Sequence, residues 1–174
     1  MWPSARSADS VVPEKASSGR GLSVAIPGRR RPFRIDHVVF DFNGTLAGDG
    51  KLVPGVARRI RRLASRVEVV VMTADTFGTA RAVLGNLPVT CHVVGGGKDK
   101  RRFVESLGGA RVAAVGNGVN DVPMFEAAAL GIAVCGIEGM ASALLREATI
   151  VVIDINDAID LLLDPRRLVA TLRR

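Results

Sequence analysis

Apolar runs of strand length recur along the chain at 37–42, 67–72, 89–94, 111–115, 132–135 and 150–153, and helical patterns fill most of the gaps between them. A run such as Val38-Val39-Phe40 shows no polar alternation, so it must be covered on both faces, as in a parallel sheet buried between helices. Behind Pro54, the residues Val56, Ile60 and Leu63 recur at helical spacing. Further helix patterns run over 79–84, 100–107, 122–130 (with Pro123 in its first turn), 141–146, 158–163 and 166–172, the last two parted by Pro165. This alternation predicts an α/β fold, a doubly wound parallel sheet in a Rossmann-like three-layer αβα arrangement. Residues 22–26 and 33–35 flank Pro27-Gly28 and predict a small β-hairpin before the first core strand.

A chain of 174 residues, 48% of them hydrophobic, has enough apolar material for one compact core and a tail. Residues 1–20 carry Ser, Ala, Pro and charge without periodicity and read as a disordered extension to a single catalytic domain over 21–174. No apolar run approaches the roughly 20 residues that span a bilayer, and the N-terminus lacks the apolar centre of a secretion signal. The expectation is a cytoplasmic protein without a membrane partner. Cys91 and Cys135 each fall in an apolar strand-like run and read as small buried hydrophobes. The formal charge of +7 favours polyanions, or simply reflects Arg-rich solvated helix faces. With no Tyr and 4% aromatics the chain offers no stacking platform for bases, so nucleic acid is not the expected partner.

Strand ends are where ligands bind in such sheets. The first core strand delivers Asp41 into Phe42-Asn43-Gly44-Thr45, where a carboxylate could attack phosphorus and a glycine turn could close around phosphate oxygens. Alone, Asp41 fits a turn-capping acid at least as well. A second strand runs into Thr73-Ala74-Asp75, offering a hydroxyl and successive amides. A third runs into Gly116-Asn117-Gly118-Val119-Asn120-Asp121, whose oxygens suit a hard cation such as Mg²⁺ or, equally simply, cap the next helix. Between them, Lys98 and Lys100 open a helix behind a triple glycine.

In this order and spacing the elements resemble the haloacid dehalogenase superfamily of phosphohydrolases, and most closely its soluble branch similar to the phosphorylation domain of P-type ATPases. Asp41, Gly44 and Thr45 match its DxxGT motif, and 69–73 its strand ending in Thr or Ser. Lys100 with Val104 matches the lysine motif better than Lys98, and Gly116, Gly118, Asn120, Asp121, Pro123 and Met124 match GDGxNDxPM. The resemblance implies an aspartyl phosphate on Asp41, with Thr73, Lys100 and the segment of Phe42, Gly44, Thr45, Ala74, Asp75 and Asn120 around the phosphoryl group. It further implies Mg²⁺ touching Asp41, the main-chain carbonyl of Asn43 and Asn117, with Asp121 one step behind.

Two positions depart from that pattern. Asn43 stands where the superfamily's phosphatases carry an acid–base Asp, and Asn117 where they carry a carboxylate metal ligand. An amide exchanges no proton, and losing such help typically costs about 10²- to 10⁴-fold. The expectation is a slow Mg²⁺-dependent phosphohydrolase, capless because neither motif interval has room for a cap. Its partners would be a phosphorylated small molecule or macromolecule, with a second subunit able to supply a lid. The alternative is a phosphate- or nucleotide-binding regulatory protein with little turnover.

Overall fold

Residues 20–74 and 78–174 are described by a computed structural model of the chain. Most of the predicted extension, residues 1–19, and the site candidate Asp75 therefore lie outside the described residues.

The apolar runs become strands whose side chains sort strictly by parity. In β3 (His37–Asp41), Val38 and Phe40 point into one hydrophobic cluster and Val39 into another. In β6 (Glu68–Thr73), Val69 and Val71 separate from Val70 and Met72 in the same way, and in β8 (Val112–Gly116) Ala113 and Val115 separate from Val112 and Ala114. Both faces of the sheet are thus apolar and both are covered, as the missing alternation required. Each large side chain fully buried in this way contributes roughly 1.5–3 kcal/mol.

The remaining elements follow in chain order. A hairpin of β1 (Leu22–Val24) and β2 (Phe33–Ile35), paired antiparallel, precedes β3 as predicted. After β3 come a second small hairpin, β4 (Ala47–Gly48) with β5 (Lys51–Leu52), then α1 (Val56–Ala64) and β6. Next are α2 (Thr79–Leu84), β7 (Thr90–Val93), α3 (Gly97–Ser106), β8, α4 (Val122–Ala127), β9 (Leu130–Val134), β10 (Ile150–Val152), α5 (Ile155–Leu163) and α6 (Pro165–Leu172). Six parallel strands form one sheet in the order β10-β9-β8-β3-β6-β7. From β3 the chain moves outward through β6 and β7, then returns to β8 on the other side of β3. The strand order therefore reverses beside β3, and Asp41 ends that strand.

Buried residues of α1, α2, α5 and α6 fill the larger cluster on one face; those of α3 and α4 fill the smaller one opposite. Helix α1 is tied to α5 by Arg59, whose Nε and Nη2 each donate to Asp160 at 2.9 Å. The interval after the first motif holds only the β4–β5 hairpin and α1, so no cap domain is present there. Among the described residues no helix is long and apolar enough to cross a membrane.

Several boundaries differ from expectation. Helix α3 starts three residues before Lys100, because the amides of Asp99 and Lys100 both bond to Gly96 O at 3.1 Å. The helix predicted over 122–130 ends at Ala127, since the Ala129 amide leaves it for the carbonyls of Gly109 and Val112. Residues Ser142–Arg146 form a 3₁₀ turn with bonds from Leu144 to Ala141 and Glu147 to Leu144. The expectation that both cysteines are buried fails for Cys135, which is exposed one residue beyond β9; Cys91 is half-buried.

Candidate active site

The turn after β3 is wound on one carbonyl. Phe42 O accepts the amides of Thr45, Leu46 and Ala47 at 3.3, 3.0 and 3.0 Å, which folds the chain back over the end of Asp41. Gly44 sits at φ 74° with no room for a side chain: a Cβ there would lie 2.5 Å from Asn117 Nδ2. Thr45 is buried, and its hydroxyl donates to Asn117 Oδ1 at 3.1 Å while lying 3.4 Å from Asp41 Oδ2. The motif Thr is thus a strut between the first strand end and the loop after β8. Asn43 is exposed.

Lys100 approaches from α3 and is itself buried. Its Nζ donates at 2.6 Å to Asp41 Oδ1 and at 2.6 Å to Asp121 Oδ1. Asp121 turns its other oxygen to the amides of Asn117 at 3.0 Å and Gly118 at 2.9 Å, so its carboxylate holds both the lysine and the loop. That loop needs a glycine at 116, where a Cβ would stand 2.4 Å from Asp121 Oδ2. Burial and the neighbouring Asp121 push the Asp41 carboxyl up to about 6 against the pull of Lys100. Burial works against the Lys100 charge, but its two carboxylates outweigh it and hold the ammonium above its ordinary range.

Thr73 ends β6, buried, next to Asp41: the register pairs Asp41 with Met72. The structure therefore brings Asp41, Thr45, Lys100, Asn117 and Asp121 together at the carboxyl edge, with Thr73 ending the neighbouring strand. Lys98 is exposed, which leaves Lys100 as the lysine of the site. Ala74 and Asn120 are exposed on the same edge, and it is the carbonyl of Asn120 that faces α3, beside Gly97.

Sequence reasoning missed Glu138. A Cβ on Gly44 would lie 2.7 Å from Glu138 Oε2, so this carboxylate stands directly over the Asp41 turn. Its only signal was a glycine-flanked acid after a strand, which reads as an ordinary turn. A cavity of about 390 Å³ also opens beside Gly44 and Thr45, walled by Leu52, Val53, Val134, Ile137 and Ile153, with Lys51 in its lining.

No family model matches the chain. It is 51% identical over 63 residues, 36% of its own length and 68% of the relative, to the uncharacterised protein MJ0073 of Methanocaldococcus jannaschii. A second match, to the uncharacterised MJ0072 of the same organism, is 44% identical over 39 residues, 22% of this chain and 89% of that protein. Among solved structures, it resembles the 3-deoxy-D-manno-octulosonate 8-phosphate phosphatase of Moraxella catarrhalis, solved with magnesium, phosphate and the sugar acid. That match has a TM-score of 0.63 and 13% identity, covering 80% of this chain and 94% of that one. The cobalt-bound enzyme of Haemophilus influenzae matches at TM-score 0.63 and 14% identity over 80% and 94% of the two chains. A phospho-aspartyl intermediate analogue of phosphoserine phosphatase matches at TM-score 0.60 and 16% identity, over 72% and 98%. The chain belongs to one family with MJ0073, and it shares its fold with these phosphatases and with solved hydrolases of the HAD, or haloacid dehalogenase, family.

Proposed function

We propose that this protein is a divalent-cation-dependent phosphohydrolase that works through an aspartyl phosphate on Asp41. One observation carries the reading: Asp41 ends the strand beside which the sheet order reverses, with Lys100 Nζ at 2.6 Å and Thr73 ending the neighbouring strand. An Asp41 oxygen attacks phosphorus, the bond to the substrate's leaving oxygen breaks, and that oxygen departs with the electron pair. Lys100 and Thr73 neutralise and position the phosphoryl oxygens. Water then attacks phosphorus and the bond to Asp41 breaks, releasing inorganic phosphate. Asn43 can neither protonate the leaving oxygen nor take the proton of water, so good leaving groups are favoured and the second step is slow.

The donor set fits Mg²⁺. Asp41, the Asn43 carbonyl and Asn117 Oδ1 are hard oxygen donors, and Mg²⁺ uses one or two carboxylates and keeps several waters. Asp121 backs them by fixing the loop amide of Asn117. Bound there, the cation would offset negative charge on the phosphoryl group. P-type ATPases, by the resemblance, also lack a carboxylate at the position of Asn43, and with the Thr73-Ala74-Asp75 and Asn120-Asp121 motifs this supports the soluble P-type ATPase-like branch. Two of the fold neighbours are named as phosphatases of a phosphorylated sugar acid and of phosphoserine, which supports a phosphomonoester substrate.

Hydrolysis of an activated aryl phosphate should require Mg²⁺ and vanish in Asp41→Asn. Equal rates in wild type and that variant would refute the covalent route. The pair Asn43 and Asn117 favours a second reading, a phosphate-binding regulator; stoichiometric phosphate-analogue binding without metal-dependent turnover would establish it instead.

A further inference from the structure

The turn after β9 is fastened to the site and aimed at it. Gly136 and Gly139 bridge each other, the Gly139 amide donating to Gly136 O at 2.9 Å. Asn117 holds this turn at two points: its Nδ2 donates to Gly139 O at 3.2 Å, and its carbonyl accepts the Ala141 amide at 2.8 Å. Glu138, between the two glycines, is thereby presented to the Asp41 turn. One point, the place of a Gly44 Cβ, lies 2.7 Å from Glu138 Oε2 and 3.0 Å from Asn117 Oδ1. Glu138 is exposed, and its side chain makes no hydrogen bond or ion pair among the described residues. Packing does not account for where it points.

Charge does. Lys100 lies between Asp41 and Asp121, and the second oxygen of Asp121 is spent on two amides. Asn117, in contact with Thr45, brings an oxygen but no charge. Among the described residues no group of three His, Cys, Asp or Glu side chains is close enough to hold a metal by itself. A dication beside Asp41 and Asn117 would therefore meet a single available carboxylate, except for Glu138 on the Asn117 side. We propose that Glu138 holds the water shell of the bound cation and supplies the negative charge that Asn117 lacks. It is a positioning residue for the metal, with no proton to transfer. The inference rests on the cation-dependent reading above.

Calorimetric titration of the full chain with Mg²⁺ alone tests it. Loss of a group that orients a metal's ligands typically costs about 10- to 100-fold in affinity, so Glu138→Gln should weaken Mg²⁺ binding by that factor while thermal unfolding stays unchanged. Glu138→Asp, which keeps the charge, should recover part of the affinity. Equal affinity in wild type and Glu138→Gln, with binding lost in Asp41→Asn, would overturn this proposal and leave the phosphohydrolase reading standing. Unchanged affinity with a longer-lived aspartyl phosphate would make Glu138 a base toward water and equally overturn it. If wild type binds no Mg²⁺, both readings fall.

Discussion

Asp41 must be ionised to attack phosphorus, yet burial and Asp121 push its carboxyl up to about 6. In the metal-free protein its titration should therefore centre near pH 6. Carboxyl-carbon NMR checks this directly; a midpoint of about 4, the ordinary aspartate value, would contradict it. The folded state holds this proton more tightly than the unfolded chain, so ionising Asp41 costs stability as the pH climbs from about 4 to about 6. Lys100 has the same sign in a much more alkaline window: its pairing stabilises the fold fully below its ordinary pKa and is lost as pH rises through the raised one. Lys100→Met would leave two carboxylates facing each other, moving the Asp41 midpoint above about 6 and costing roughly 3–5 kcal/mol in chemical denaturation. At Asn43 the change runs toward function. Asn43→Asp should raise steady-state hydrolysis by about 10²- to 10⁴-fold, and no gain would show that proton transfer is not what limits turnover.

At the level of elements, the strand ends were legible because each motif couples an apolar run to a polar residue that has no packing reason to follow it. Asp41, Thr73 and Gly116 all close strands at the edge where they were expected. The start of α3 was not legible, since three glycines carry no periodicity and the bonds to Gly96 O exist only once the chain has turned. Glu138 was hidden for a related reason: its relation to Gly44 spans two strands of the sheet and leaves no local pattern. The loop after β8 shows how tightly an element end can be specified. Gly116→Ala would drive a Cβ into Asp121 Oδ2, displacing the carboxylate that holds both Lys100 and the loop amides. Overpacking of this kind costs about 1–3 kcal/mol. Because the strain falls on the site, hydrolysis should drop well beyond what the small loss of folded protein explains, measured as activity per folded molecule.

Over the whole molecule, the two faces of the sheet differ in what they do. The larger cluster, under α1, α2, α5 and α6, gathers Ile60, Leu63, Ile159, Leu162 and Leu168; the smaller, under α3 and α4, supports the helix that carries Lys100 and the loop that carries Asp121. Parity in the strand sequences announced two covered faces, but the strand order that places β3 between β6 and β8 depends on long-range pairing and was not readable. Stability and chemistry should then be separable by face. Leu162 is fully buried in α5, on the face remote from Lys100, and Leu162→Ala should cost about 2–5 kcal/mol through lost burial and the cavity left behind. Below its lowered Tm, that variant should retain wild-type kcat/KM toward an aryl phosphate and wild-type Mg²⁺ affinity. Parallel loss of stability and of activity per folded molecule would mean that packing under α5 reaches across the sheet to Asp41, and the separation by face would be wrong.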